Sequence, residues 1–186
     1  MNNFLQRVHQ WDTGAFLWLH VTRNIGYRKS VRWISHSGDG YGYALIALAL
    51  FWLEPNHGPT LFVIGLSAYA LEVSVYFVVK NRVKRNRPEA SLDFYQAWIT
   101  PSDQFSFPSG HTAAAFLFAF LITQYYPAFA LPAYIWAAMI GSSRVLLGVH
   151  YPSDIAAGAV LGTLCAVAAL YAYPIWWPIV TAGGPW

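Results

Sequence analysis

Three short clusters carry residue types suited to phosphate chemistry. Lys80 is followed after six residues by Arg87-Pro88; Pro108-Ser109-Gly110-His111 comes next; Ser143-Arg144 is then followed by His150 and Asp154. Each cluster stands at the edge of a long apolar run, where a charged side chain is costly unless it serves a purpose. Lys80, Arg87 and Arg144 supply positive charge for a phosphoryl group. The two histidines offer a nucleophile and a proton donor.

Taken singly, each cluster has a plainer explanation. Lys80 and Arg87, with Arg82, Lys84 and Arg85 between them, also read as a basic patch beside a membrane helix. Pro108 to His111 also reads as a helix cap, although the free backbone N–H groups of such a helix start suit an anion. His150 and Asp154 are four residues apart. On a helical turn they face each other, and the carboxylate can fix the imidazole tautomer and support its charge. The three share one chemical preference, and that agreement favours a single site over three unrelated structural details.

The setting follows from composition. Of 186 residues, 56% are hydrophobic, 18% aromatic and only 10% charged, a balance that belongs in a bilayer. The single cysteine, Cys165, lies in an apolar segment and excludes an intramolecular disulfide framework; no Cys/His spacing suits zinc, and no metal or cofactor is expected. A net charge of +3 favours polyanionic partners. The basic residues nevertheless gather beside apolar segments and form no soluble patch with interleaved aromatics, which argues against nucleic acid. Arg7, His9, Gln10 and Asp12 interrupt the first apolar stretch too early for a cleaved signal.

The elements that must position the clusters can be read along the chain. The expected class is all-α: a polytopic membrane bundle of about five transmembrane helices in a single domain over residues 1–186. Residues 4–22 mix apolar and polar side chains, as expected of a helix in the headgroup layer, so 1–30 form an interfacial segment. Tyr41 to Leu53, extended by Val31 to Ser37, is long enough for a first span. Further spans are expected at about Leu61 to Val79, Thr112 to Tyr126, Phe129 to Leu147 and Ile155 to Tyr173. Ala156, Ala157, Gly158 and Gly162 permit close helix contact in the last of these. The longest polar segment, 80–107, carries Phe94, Tyr95, Trp98, Phe105 and Phe107 and is expected to rest on the membrane surface. This count of spans brings all three clusters to one membrane face.

With the motifs in view, Lys-x6-Arg-Pro, Pro-Ser-Gly-His and Ser-Arg-x5-His-x3-Asp resemble the three-part signature of the type 2 phosphatidic acid phosphatase superfamily of membrane lipid phosphatases. Every motif position is present, and the match spans residues 80–154. The resemblance implies that His150 attacks phosphorus to form a phosphohistidine, that Asp154 holds and polarises it, and that His111 protonates the leaving oxygen. It further implies that Lys80, Arg87 and Arg144 bind the phosphoryl oxygens, helped by the Ser109 hydroxyl and the Gly110 backbone N–H, with no metal. The small bacterial members that this layout resembles imply undecaprenyl diphosphate as substrate. Phosphatidylglycerol phosphate, phosphatidate or transfer to a second lipid are alternatives, and a transport or lipid-binding protein with a degenerate site is a further one.

A phosphate site at the ends of membrane helices is reached most readily by a headgroup whose tails stay in lipid, so the expected partners are the bilayer and an amphiphilic phosphate. Sidedness draws on two conflicting signals. Every Lys and Arg falls on the face of the motifs or in the N-terminal segment, which by the positive-inside rule places that face in the cytoplasm. The resemblance implies an inner-membrane protein whose active face is periplasmic, and the reading here follows the resemblance.

Overall fold

The computed structural model describes residues 3–21 and 25–182. Among them the regular structure is helical: α1 (Asn3–Val21), α2 (Arg28–His36), α3 (Tyr41–Leu53), α4 (Gly58–Val83), α5 (Pro88–Ser91), α6 (Gly110–Tyr125), α7 (Ala130–Leu146) and α8 (Pro152–Ala182). Among the described residues, three stretches are long and apolar enough to cross a membrane, namely Gly58–Val83, Pro127–Leu146 and Pro152–Ile175. Their outward side chains are large and apolar, among them Leu66, Phe77, Trp136, Met139, Val160 and Leu164. This is the surface of a helix bundle solvated by lipid.

The first expected span differs in the structure. Val31 to Leu53 does not form one continuous helix; it breaks at Ser37–Gly40 into α2 and α3. At 13 residues α3 reaches only about 20 Å, short of a hydrocarbon core of roughly 30 Å. Gly38 and Gly40 lie in this break between the two helices, with Asp39 between them at the turn.

The core is a stack of α4, α6 and α8, in which Leu61, Ile64 and Ala68 meet Leu117, Leu121, Ala166 and Ala169. Helix α8 lies almost against the α6 backbone. A Cβ added at Gly162 would stand 2.0 Å from the Ala113 carbonyl oxygen, and one at Gly158 would stand 2.5 Å from that of Ser109. Tyr69 of α4 donates its hydroxyl to the Ala114 carbonyl at 3.0 Å, tying a third helix to the same place. At the end of the bundle away from the motifs, the Glu54 carboxylate accepts the backbone N–H groups of Asn56, His57 and Gly58 and the Tyr126 hydroxyl. The Tyr126 bond, with the backbone bonds beside it, holds this carboxyl down at about 2.

The polar segment 80–107 packs against the end of the bundle. Trp98 N–H bonds to the Leu147 carbonyl at 2.9 Å, Arg28 donates to the Trp98 carbonyl at 2.7 Å, and Ser106 N–H reaches the Arg85 carbonyl at 2.8 Å. Tyr95 packs edge-on against Phe16 of α1. Phe94 remains exposed. Helix α1 docks on the same end: Phe16 is fully buried beside Tyr151, while Trp11 and Trp18 face outward.

Candidate active site

Each motif residue owes its position to a helix end. Lys80 sits in the last turn of α4, which stops where Lys84 adopts a left-handed conformation (φ 49°). Arg87 precedes Pro88 in extended backbone, as the residue before a proline prefers. Ser109 is the N-cap of α6, with Gly110 and His111 in its first turn. Arg144 ends α7, and Asp154 lies in the first turn of α8. Between these two helices the chain turns through Gly148 at φ 85°, where a side chain would also strike the Tyr95 hydroxyl. The turn delivers His150 to the interior, 2% exposed.

The three motifs meet. Arg87 donates Nη1 to the Val149 carbonyl at 2.6 Å, and the same nitrogen lies 3.4 Å from His150 Nε2. On the other side of the ring, His150 Nδ1 lies 3.6 Å from Asp154 Oδ2. The Asp154 carboxylate also accepts the Tyr151 backbone N–H at 2.8 Å, while Ser109 N–H bonds to the Asp154 carbonyl at 3.0 Å and so joins the second motif to the third. Burial lowers the His150 pKa to about 4 and Arg87 and Arg144 push the same way, overcoming Asp154. The imidazole is therefore neutral at pH 7, as a nucleophile must be.

Arg144 is buried, with Nη1 on Ser35 Oγ at 2.6 Å, and its Nε has no protein partner. Two expected phosphate ligands look different in detail. The Ser109 hydroxyl is paired with the Thr112 hydroxyl at 2.9 Å and is fully buried. A Cβ added to Gly110 would stand 3.1 Å from the Tyr76 ring, so the missing side chain lets α6 and α4 approach.

Further residues, none of them a fixed motif position, join the site. Asp103 bonds to Lys80 Nζ and to the Tyr76 hydroxyl, each at 2.7 Å, and it pairs with Arg87 Nη2. Burial opposes its ionisation, but these donors prevail and hold its carboxyl down at about 2. Asp39, from the α2–α3 turn, lies 2.8 Å from His111 Nε2 and 2.8 Å from His36 Nδ1. Arg85, read from sequence as part of a surface patch, instead donates to Asp154 Oδ1 at 2.9 Å and stacks on Tyr151 at 4.1 Å. Its second η nitrogen bonds to Asp12 of α1 at 2.7 Å, and Asp12 in turn accepts the Ser153 N–H at 2.9 Å. Among the described residues no group of three or more His, Cys, Asp or Glu is arranged to hold a metal.

The chain that builds this site is similar to known proteins. The decaprenylphosphoryl-5-phosphoribose phosphatase of Mycobacterium tuberculosis is 34% identical over 142 residues, covering 74% of this chain and 75% of that protein. The bacitracin transport permease protein BcrC of Bacillus licheniformis is 30% identical over 133 residues, 71% of this chain and 66% of the relative's length. Among solved structures, LpxE of Aquifex aeolicus superposes with a TM-score of 0.76 at 24% identity, over 85% of this chain and 93% of that one. Residues 60–178 match the model of the PAP2 superfamily, and they contain all three motifs. The chain belongs to the PAP2 superfamily.

Proposed function

We propose that this protein is an integral membrane phosphatase that hydrolyses a lipid phosphate or diphosphate through a phosphohistidine. The observation that carries the reading is the placement of His150: Nε2 is 3.4 Å from a phosphate-type cation, Arg87, and Nδ1 is backed by Asp154. In the first step the Nε2 lone pair forms a bond to phosphorus, the bond to the leaving oxygen breaks, and His111 gives that oxygen a proton. A water then attacks phosphorus, returns a proton to His111 and releases phosphate as the P–N bond breaks. Lys80, Arg87 and Arg144 stabilise the charge on the equatorial oxygens, which is most of what phosphoryl transfer asks of a protein. The Gly110 N–H at the start of α6 and Ser109 complete the cradle.

The whole of 1–186 acts as one domain, with five crossings by α3, α4, α6, α7 and α8, the short α3 and α6 accommodated by local thinning of the bilayer, and with α1 in the headgroup layer. The active face is periplasmic. Undecaprenyl diphosphate is the first choice of substrate, and a relative whose name specifies a decaprenyl-linked substrate supports a polyprenyl tail. Phosphatidylglycerol phosphate or phosphatidate comes second, and transfer to a second lipid instead of water is a variant of the same chemistry. The name of the Bacillus relative favours one reading of another class, a transport protein.

The test is a panel on purified protein in detergent. It measures phosphate from undecaprenyl diphosphate, phosphatidylglycerol phosphate, phosphatidate and an aryl phosphate, with rapid-quench trapping of acid-labile, base-stable label from a ³²P-lipid. Hydrolysis with an adduct that His150→Ala abolishes supports the reading; no phosphate release from any of the four supports transport instead. An adduct that survives His150→Ala and is lost in His111→Ala reverses the two roles.

A further inference from the structure

The site holds two histidines, and each meets a carboxylate. The pairing of His150 with Asp154 belongs to one motif. The pairing of His111 with Asp39 does not: Asp39 lies 72 positions away, at the turn between α2 and α3, with its Oδ1 2.8 Å from His111 Nε2. The turn is held in place, since Ser37 and Gly38 N–H groups bond to the Trp33 and Ser35 carbonyls. Gly38 itself packs against the His111 ring and Ile140, with room for no side chain there. The other carboxylate oxygen meets His36 Nδ1 at 2.8 Å, on an imidazole that is 65% exposed.

We propose that Asp39 is the positioning residue for the acid that protonates the leaving group, holding the His111 imidazole by Nε2–H so that Nδ1–H is presented to the departing oxygen. This rests on His111 being that acid. A histidine that donates from one ring nitrogen while the other stays protonated is an imidazolium, and a carboxylate on the far nitrogen supports its charge. The support is needed because burial, and after it Arg144 of α7, lower the pKa of this ring and so disfavour the cation, while Asp39 itself and Asp103 of the 92–109 loop favour it. Tyr76 and Glu72 of α4 line the same cavity as His111 and Asp39. His36 competes for the same carboxylate from the surface.

The two pairs therefore divide the work. Asp154 supports the ring that attacks, and Asp39 supports the ring that donates. Removing Asp39 must then hurt most where the leaving oxygen most needs a proton, and it must do nothing further once His111 is gone.

The experiment uses full-length protein in detergent with p-nitrophenyl phosphate, a good leaving group, and phenyl phosphate, a poor one. Asp39→Asn keeps the size and a hydrogen-bonding group. It is expected to lower kcat on phenyl phosphate by about 10- to 100-fold, less than the 10²- to 10⁴-fold that losing acid help altogether would cost, with a much smaller loss on p-nitrophenyl phosphate. The alkaline limb of its kcat/KM profile moves to lower pH. In the His111→Ala background the same change adds nothing, the non-additivity expected of residues acting as one unit. Asp39→Glu recovers part of the phenyl phosphate rate. Equal losses on both substrates, or losses that multiply with those of His111→Ala, overturn the proposal. If His111→Ala itself loses both substrates equally, the acid role of His111 is what fails, and the proposal falls with it.

Discussion

The residue scale is where electrostatics decides function. Asp103 sits between Lys80 and Arg87, two of the three cations proposed to bind phosphate. A phosphoryl group reaching both must displace or share them with this carboxylate, which is ionised throughout the working pH range because its carboxyl is held down at about 2. Asp103→Asn is expected to lower KM for an aryl phosphate and strengthen inhibition by inorganic phosphate, each about 10-fold. That is the scale of one charge-assisted hydrogen bond, about 1.5–3 kcal/mol. A raised KM would mean instead that Asp103 holds the cations in place.

His150 gives a second prediction at this scale. Its pKa is about 4 in the folded protein against an ordinary 6.5. A depressed histidine favours the neutral form, so the unfolded chain binds the extra proton first as pH falls. The stability due to its neutral state is therefore present above 6.5 and is lost between 6.5 and about 4. The acid limb of kcat/KM should accordingly lie near pH 4, not 6.5; a limb near 6.5 would contradict the burial of this ring.

At the scale of elements, the seam between α6 and α8 fixes how the second motif stands relative to the third. Helix α6 carries Ser109, Gly110 and His111 at its start, α8 carries Asp154 at its own, and their backbones touch at Gly158 and Gly162. Gly162→Ala is expected to cost about 1–3 kcal/mol by overpacking, read as a lower melting temperature. It should also lower kcat, although the residue is two turns from the chemistry; an unchanged kcat would show that the helix ends adjust independently. The small residues of this seam were legible in the sequence, as were α4, α7, α8 and the meeting of the three motifs, because apolar length and motif spacing are local properties. The break between α2 and α3 was not, since a run of apolar residues looks alike with or without a turn inside it. Asp103, Asp39 and Arg85 were invisible for a related reason: their partners lie 23, 72 and 69 positions away. Arg85 in particular looked like any other lysine or arginine beside a membrane helix.

On the scale of the whole molecule, positive charge carried by the protein itself gathers where phosphate is to be handled. Arg87 lies within electrostatic reach of both Lys80 and Arg144. Hydrolysis is therefore expected to continue in EDTA; activity lost on chelation and restored by Mg²⁺ would show that these cations do not suffice. Orthovanadate, which adopts the five-coordinate geometry of phosphoryl transfer, should inhibit, and turnover unchanged at millimolar vanadate would argue against a histidine nucleophile.

Helix α1 faces two ways. Trp11 and Trp18, seven residues apart, point outward at 80% and 68% exposure, while Asp12 and Phe16, four apart, are buried against the start of α8. A tryptophan pair of this kind settles at the depth where headgroups meet acyl chains, so the lipid surface has a grip on the helix whose inner face braces Ser153 and, through Arg85, Asp154. The bilayer is therefore expected to act as a mechanical support: lipid packing would bear through α1 on Asp154, and activity is expected to be highest when α1 rests on a real interface. Detergent weakens that support, and Asp12→Ala cuts the linkage, so activity in the variant should stop rising when lipid is restored.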